Sequence, residues 1–232
     1  MAAMHPPLPL QAAPLRAHDL VWVADWRAFE TADGLPPWAD AARRRGAPLV
    51  VRRARSGAGL LPVGLRGAAR SERLAGVLRR AAVLRSASPE MLALRARHGP
   101  ALPYPEAAPV QAALERIAPL LERAGLPWGP TGSLGFALAT GWPVLRAASD
   151  IDLLVRAAAP LNAAQAALLR EAANAGPCRV DLQVDTGHGG FAFAEWARSG
   201  GRVLLKTDAG PFLTDDPWNL RGWFDIHGAE AP

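Results

Sequence analysis

One stretch, residues 127–156, constrains the fold of this chain more than any other. It holds a Gly132-Ser133 pair that opens a predicted helix, then a loop, then an apolar strand that carries Asp150 and Asp152. Backbone N–H groups at the start of a helix bind phosphate readily, and residues two apart on a strand point to the same face. The stretch therefore predicts a phosphate-binding turn facing two carboxylates, a pattern typical of nucleotidyl transfer.

The acids are the second observation. Two like charges on one face of an apolar strand repel each other, and a divalent cation relieves that repulsion; oxygen ligands suit Mg²⁺. Taken alone, the Asp-x-Asp pattern is more often explained by two exposed acids on a half-buried strand. Asp181 strengthens the metal interpretation, because it is centred in the β-like run 178–185 and would lie near Asp150 and Asp152 if the strands are neighbours. Such a group binds one or two metal ions, or leaves one acid as a base.

This ordered set resembles the nucleotidyltransferase superfamily built on the DNA polymerase β-type fold. The spacing between the Gly-Ser pair and the first acid is longer here than is usual in that superfamily, which predicts a longer connecting loop. The resemblance implies an α/β fold of the α+β type, in which a small N-terminal mixed α/β domain precedes a nucleotidyltransferase core.

A narrower resemblance covers most of the chain. Several segments together look like the phosphoribosyl-dephospho-CoA transferases of bacterial malonate decarboxylase, a family also called malonate decarboxylase holo-acyl-carrier-protein synthases. The segments are PVGLRG, WGPTGSLGFALATG, SDIDLLVR, RVDLQV, FAEWAR, VLLKT-x-x-GP and DPW.

The resemblance implies a specific reaction. The donor would be triphosphoribosyl-dephospho-CoA, the acceptor a serine of the apo acyl carrier protein subunit of malonate decarboxylase, and the leaving group pyrophosphate. Mg²⁺ is the expected metal. The predicted residues are Asp150, Asp152 and Asp181 as catalytic and metal-binding acids, with Asp181 either the general base or the third ligand, and Gly132, Ser133, Lys206 and Arg146 as phosphate contacts.

Two other functions stay open at this stage. One is a different metal-dependent nucleotidyltransferase of the same fold, which would move AMP or another nucleotide to a small molecule or to RNA. The other is a catalytically inactive binding module, against which the full set of acids argues.

Length and composition set broader bounds. The 232 residues are half hydrophobic, enough for a packed core. The single cysteine, Cys178, excludes an internal disulfide and favours a reducing, cytoplasmic setting. We find no signal-peptide pattern and no apolar run long enough to cross a membrane, so neither is expected. No nucleic-acid-binding signature is present, so a nucleic-acid partner is not expected either.

The chain is predicted to divide into a domain at residues 1–100 and a catalytic domain at residues 106–232. Residues 71–80 are predicted to be helical, a helix at 109–123 to be kinked or split at Pro119, and the tail 210–232 to be irregular. The net charge is +5, and the basic residues are almost all arginine. Two explanations of this bias stay open. One is GC-rich coding, and the other is a basic face on the first domain that docks the carrier protein. Arg52 and Arg53 are candidates for such a face.

Overall fold

The computed structural model describes residues 14–69 and 71–219, and the chain forms two compact units. The first unit comprises residues up to 88 together with 139–141, and the second comprises 89–138 and the residues from 142 onward. The division falls directly before the helix at Pro89–His98. That helix, which the sequence analysis assigned to the first domain, therefore groups with the second unit. Both units mix helices with a β-sheet, which confirms the α/β class.

The first unit is built on an antiparallel six-stranded sheet with the strand order β2-β5-β4-β3-β1-β6. Among the described residues up to 88, one α-helix is present, α1 at Pro37–Arg44. The strands are β1 Leu20–Val23, β2 Phe29–Glu30, β3 Leu49–Val51, β4 Leu60–Arg66, β5 Arg73–Arg79 and β6 Val83–Ala87.

This first sheet has two different faces, as strand β4 shows most clearly. Its residues alternate strictly between buried and partly exposed positions. Leu61, Val63 and Leu65 are the buried set, and they form one apolar face. Because side chains alternate along a strand, the residues between them belong to the opposite, outer face.

The prediction of a helix at residues 71–80 is wrong, because β5 occupies this region. Strand β5 pairs along its whole length with β4, from Arg66 opposite Arg73 to Leu60 opposite Arg79. A Cβ atom at Gly76 would overlap the backbone carbonyl of Glu30 on the neighbouring β2. Pairing with β4 therefore makes this segment a strand, and Gly76 allows the neighbouring backbone to approach closely.

The second unit holds another six-stranded sheet, with the order β12-β11-β10-β9-β8-β7. Only β8 and β9 run parallel; the other neighbours in this described sheet are antiparallel. The strands are β7 Trp128–Pro130, β8 Ile151–Arg156, β9 Val180–Asp185, β10 Gly190–Ala192, β11 Val203–Thr207 and β12 Gly210–Thr214. The helices are α2 Pro89–His98, α3 Ala108–Arg123, α4 Gly132–Thr140, α5 Ala163–Ala173 and α6 Phe193–Ser199.

Two sequence-based predictions for this unit concern helix α3 and the tail. Helix α3 is continuous through Pro119, so the predicted split is wrong, whereas the alternative of a kink at this residue stays a prediction; the proline is exposed, while Val110, Ile117 and Leu121 are buried. The tail is not wholly irregular either, because Gly210–Thr214 forms β12, which pairs with β11. Residues 220–232 lie outside the described part of the chain.

Within the described residues, no helix combines the length and apolar character needed to span a membrane.

Candidate active site

The parallel pairing of β8 and β9 brings two of the predicted acids together. Asp152 and Asp181 are direct partners in the register, as are Ile151 and Val180. Partners in a parallel pair point to the same face of the sheet, so the two carboxylates share one face. Ile151 is buried on the other face, whereas both acids keep partial exposure. The expectation that the two strands are neighbours is therefore confirmed.

Asp150 lies directly before β8 at the end of an ordered turn. The Arg146 backbone N–H donates to Ser149 Oγ at 2.9 Å, and the Ser149 N–H donates back to the Arg146 carbonyl at 2.9 Å. The Ile151 N–H then donates to the Arg179 carbonyl at 2.8 Å, which extends the parallel pairing to the start of the strand. Alternation along this extended chain places Asp150 on the same side as Asp152.

Gly132 joins the predicted phosphate turn to the acid strand. Its φ is +56°, in the left-handed region that favours glycine. A Cβ atom at this position would overlap the carboxylate of Asp152, so only glycine allows the turn to approach the acid this closely. The Thr131 N–H donates to the Asp152 carbonyl at 2.8 Å, which ties the start of α4 to β8. The turn and Asp152 thus form one local structure, as the sequence predicted.

Asp181 forms an ion pair with the arginine directly before β9. Its Oδ1 lies 2.9 Å from Arg179 Nη2, in a pair whose side chains are 40% and 72% exposed. Within residues 14–69 and 71–219, no group of three or more His, Cys, Asp or Glu side chains is arranged so that it would hold a metal ion. The backbone places the three predicted acids at adjacent positions, but their side chains do not converge on one point in this arrangement.

The other two predicted phosphate contacts with charged side chains, Lys206 and Arg146, lie at different distances from the acids. Lys206 is exposed on β11 opposite Gly190, which itself pairs with Asp185 on β9. This register puts Lys206 on the acid-bearing face, but four residues along the strand direction from Asp181, or about 13 Å. Arg146 is exposed in the turn before Asp150, so it is near the acids in sequence and free to reach toward them.

Arg156, the last residue of β8, pairs with two carboxylates. Its Nε donates to Glu90 Oε1 at 2.6 Å and its Nη1 to Asp185 Oδ2 at 2.6 Å. The Arg156 and Asp185 side chains are only 9% and 8% exposed. The arginine therefore ties the start of α2 to the ends of β8 and β9. Nothing in the sequence pattern indicated this pairing, because 66 residues separate Arg156 from Glu90.

A second close contact fixes α2 against the same sheet. A Cβ atom at Gly129 on β7 would overlap the backbone carbonyl of Pro89, the first residue of α2. Gly129 pairs with Leu154 on β8, and Leu154 is buried. The beginning of α2 is therefore held on the acid-bearing face by both a backbone approach and the Arg156 ion pairs.

Comparison with known proteins identifies the family. Residues 16–89 match the model described as the phosphoribosyl-dephospho-CoA transferase MdcG N-terminal domain, and residues 93–217 match the corresponding C-terminal domain. The chain belongs to the phosphoribosyl-dephospho-CoA transferase family. The boundary between the two matched regions falls within residues 89–93, close to the boundary between the two compact units.

Individual relatives agree with this assignment. The chain is 43% identical over 203 residues to a phosphoribosyl-dephospho-CoA transferase of Pseudomonas putida, covering 88% of this chain and 95% of the relative. It is 46% identical over 208 residues to one of Klebsiella pneumoniae, covering 88% and 96%. A relative from Azotobacter vinelandii is 42% identical over 202 residues, covering 87% and 93%. No solved structure matches the chain significantly.

Proposed function

We propose that this protein transfers the phosphoribosyl-dephospho-CoA group from triphosphoribosyl-dephospho-CoA to a serine hydroxyl of the apo acyl carrier protein subunit of malonate decarboxylase, with release of pyrophosphate. Family membership supports the transferred group. The observation that carries the chemistry is the contact of Gly132 with the Asp152 carboxylate, beside the register partner Asp181. This contact brings together acidic side chains and the turn that we propose to bind phosphate, which supports transfer from a triphosphate.

The acids suit a hard divalent cation, and we propose Mg²⁺ at Asp150 and Asp152, with Asp181 either a third ligand or the base. The donor set consists of carboxylate oxygens on one face, which are the ligands that Mg²⁺ prefers. Asp181 is held by Arg179 through a largely exposed ion pair. Such pairs contribute only about 0–1 kcal/mol, so the Asp181 carboxylate can turn to another partner at little cost. When bound, the cation would neutralise negative charge on the triphosphate.

The Gly132-Ser133 turn is proposed to bind the phosphates through backbone N–H groups at the start of α4. This helix is nine residues long, and the partial positive charge of its N-terminus favours an anion. The absence of a side chain at Gly132 lets the phosphate and the Asp152 carboxylate approach the same backbone. Arg146 is proposed to add positive charge from the adjoining turn. Lys206, farther along the same face, is proposed to contact a more distant phosphate of the donor.

The transfer itself breaks a phosphoanhydride bond of the triphosphate and forms a phosphodiester bond to the carrier protein. The serine oxygen of the carrier protein forms a bond to the phosphorus nearest the ribose, and the bond from that phosphorus to the pyrophosphate oxygen breaks. The serine proton passes to a carboxylate, for which Asp181 is proposed, since its partial exposure lets a protein hydroxyl reach it. The turn at Gly132 holds the phosphates while the attacking and leaving oxygens stand in line.

A mass measurement tests the proposal. The purified protein is incubated with apo carrier protein, the triphosphate donor and Mg²⁺, and the carrier is weighed by intact-mass spectrometry. We expect the mass of the carrier to rise by one phosphoribosyl-dephospho-CoA group, and a carrier in which the acceptor serine is alanine to stay unmodified. Transfer of AMP from ATP, with none from the triphosphate donor, would instead favour the other nucleotidyltransferase function. Transfer from neither ATP nor the triphosphate donor would favour the inactive binding module.

A further inference from the structure

The outer face of the first sheet carries a group of arginines around small side chains. Strand alternation and register place Arg52, Arg66, Arg73 and Arg79 on this face, with Pro62, Gly64, Ala75 and Val77 between them. We call these eight residues the arginine face. The opposite face of the same strands holds the buried apolar residues, so the arginine face is the side of β4 and β5 that stays accessible.

The centre of the arginine face is shallow. Gly64 and Ala75 are opposite each other in the register, and neither carries a side chain beyond Cβ. The aliphatic part of Arg52 lies over Gly64, where a Cβ atom would be 3.1 Å from Arg52 Cδ. Apart from this aliphatic segment of Arg52, the centre therefore has little side-chain bulk, and arginines lie at its edges. An apolar centre within a charged rim is the usual organisation of a protein–protein interface.

The positive charges on this face include two that lie close enough to repel each other. Arg66 and Arg73 are directly opposite each other on β4 and β5, an arrangement in which like charges repel. The carboxylate on the described strands that reaches this side is Glu30, and it pairs with Arg79 at 3.3 Å. Arg52 and Arg73 are exposed and form no ion pair with another described residue. Arg52 and Arg73 thus give the face positive charge that no described carboxylate neutralises.

We propose that the arginine face docks the carrier protein substrate through an acidic surface of that partner, which the positive charge of the face would complement. This inference rests on the proposed function for the identity of the partner. We favour a folded protein as the partner, because the centre of the face is apolar, its edges are charged, and arginine is the charged residue most enriched in interfaces. No aromatic side chain occupies the outer positions of β3, β4 and β5, so the stacking platforms typical of single-stranded RNA binding are not present on these strands.

Charge reversal tests the docking face. The double variant Arg52→Glu, Arg73→Glu changes two exposed arginines of the face. Its matched control is Arg27→Glu, Arg44→Glu, which changes the net charge equally at exposed positions of the same unit outside the strands. Binding of apo carrier protein is measured by surface plasmon resonance, and KM for carrier and donor by the transfer assay. Melting curves confirm that both variants are folded.

We expect the docking variant to weaken carrier binding and raise KM for the carrier about tenfold, with kcat and KM for the donor within about twofold of wild type. The control should stay within about twofold throughout, and added salt should reduce the difference between the variants. Equal effects in both variants, or none in the docking variant, would overturn the proposal, as would a wild-type protein that does not bind the carrier or that binds RNA through these arginines instead. Carrier binding that depends on Arg52 and Arg73 without any transfer would uphold the docking face and refute the proposed function.

Discussion

Replacing Gly132 by alanine tests the contact that brings the phosphate turn onto the acid strand. The new Cβ atom would overlap the Asp152 carboxylate, and φ of +56° is unfavourable for alanine. The left-handed conformation alone costs about 1–2 kcal/mol. The overlap adds a displacement of the carboxylate or of the turn, because both cannot keep their present positions.

The two consequences are measured separately. We expect the stability loss to lower the melting temperature by about 2–4 °C per kcal/mol, leaving the protein folded at assay temperature. The displacement of Asp152 should lower kcat/KM for transfer about 100-fold, since an error of about 1 Å in the position of a reacting group has an effect of that size. Thermal melting and the carrier mass assay report these two quantities on the same preparation.

Gly125→Ala is the matched control. Gly125 has a φ of +67°, and a Cβ atom there would meet nothing within 4 Å. This variant should therefore lose a similar amount of stability and keep its activity. If Gly132→Ala transfers as fast as Gly125→Ala, the turn and the Asp152 carboxylate do not form one site, and the reasoning from their contact is refuted.

Three further predictions concern single side chains. Asp152→Asn should lower transfer at least about 100-fold and raise the Mg²⁺ concentration needed for half-maximal rate; unchanged Mg²⁺ dependence would contradict the metal assignment. Arg156→Met should destabilise the fold by about 3–5 kcal/mol in urea unfolding, because it leaves Glu90 and Asp185 without their buried cation; a neutral result would mean that the ion pairs are dispensable. Burial raises the pKa of Tyr104, whose hydroxyl donates to the Trp142 carbonyl at 3.0 Å, so the unfolded chain loses this proton first and the free energy of unfolding should fall as pH rises above about 10. Tyr104→Phe should remove that part of the pH dependence, and an identical alkaline profile in both proteins would show that Tyr104 does not cause it.

The candidate site was predictable because its evidence is local. Gly132, Asp150 and Asp152 lie within one stretch, and alternation along a strand fixes their relative positions without knowledge of the rest of the fold. The pairing of Asp152 with Asp181 required one further assumption, that the two strands are neighbours, and the register confirms it. Whether these acids bind metal stays a prediction.

The features that were wrongly predicted or missed depend on contacts between residues that are far apart in the sequence. Residues 71–80 have apolar residues at helical spacing, but pairing with β4 and close packing at Gly76 make the segment a strand. The ion pairs of Arg156 were not predicted, because its carboxylate partners are 29 and 66 residues away in the sequence. Tertiary pairing of this kind overrides local propensity, and a single sequence does not show it.

The stoichiometry of transfer tests the central claim most directly. Pyrophosphate released and carrier protein modified are measured in the same quenched samples, and the modified peptide is mapped by tandem mass spectrometry. We predict one pyrophosphate for each phosphoribosyl-dephospho-CoA group attached to a single serine, with both products lost together in Asp152→Asn. Pyrophosphate release without carrier modification, or modification of a residue other than serine, would contradict the account.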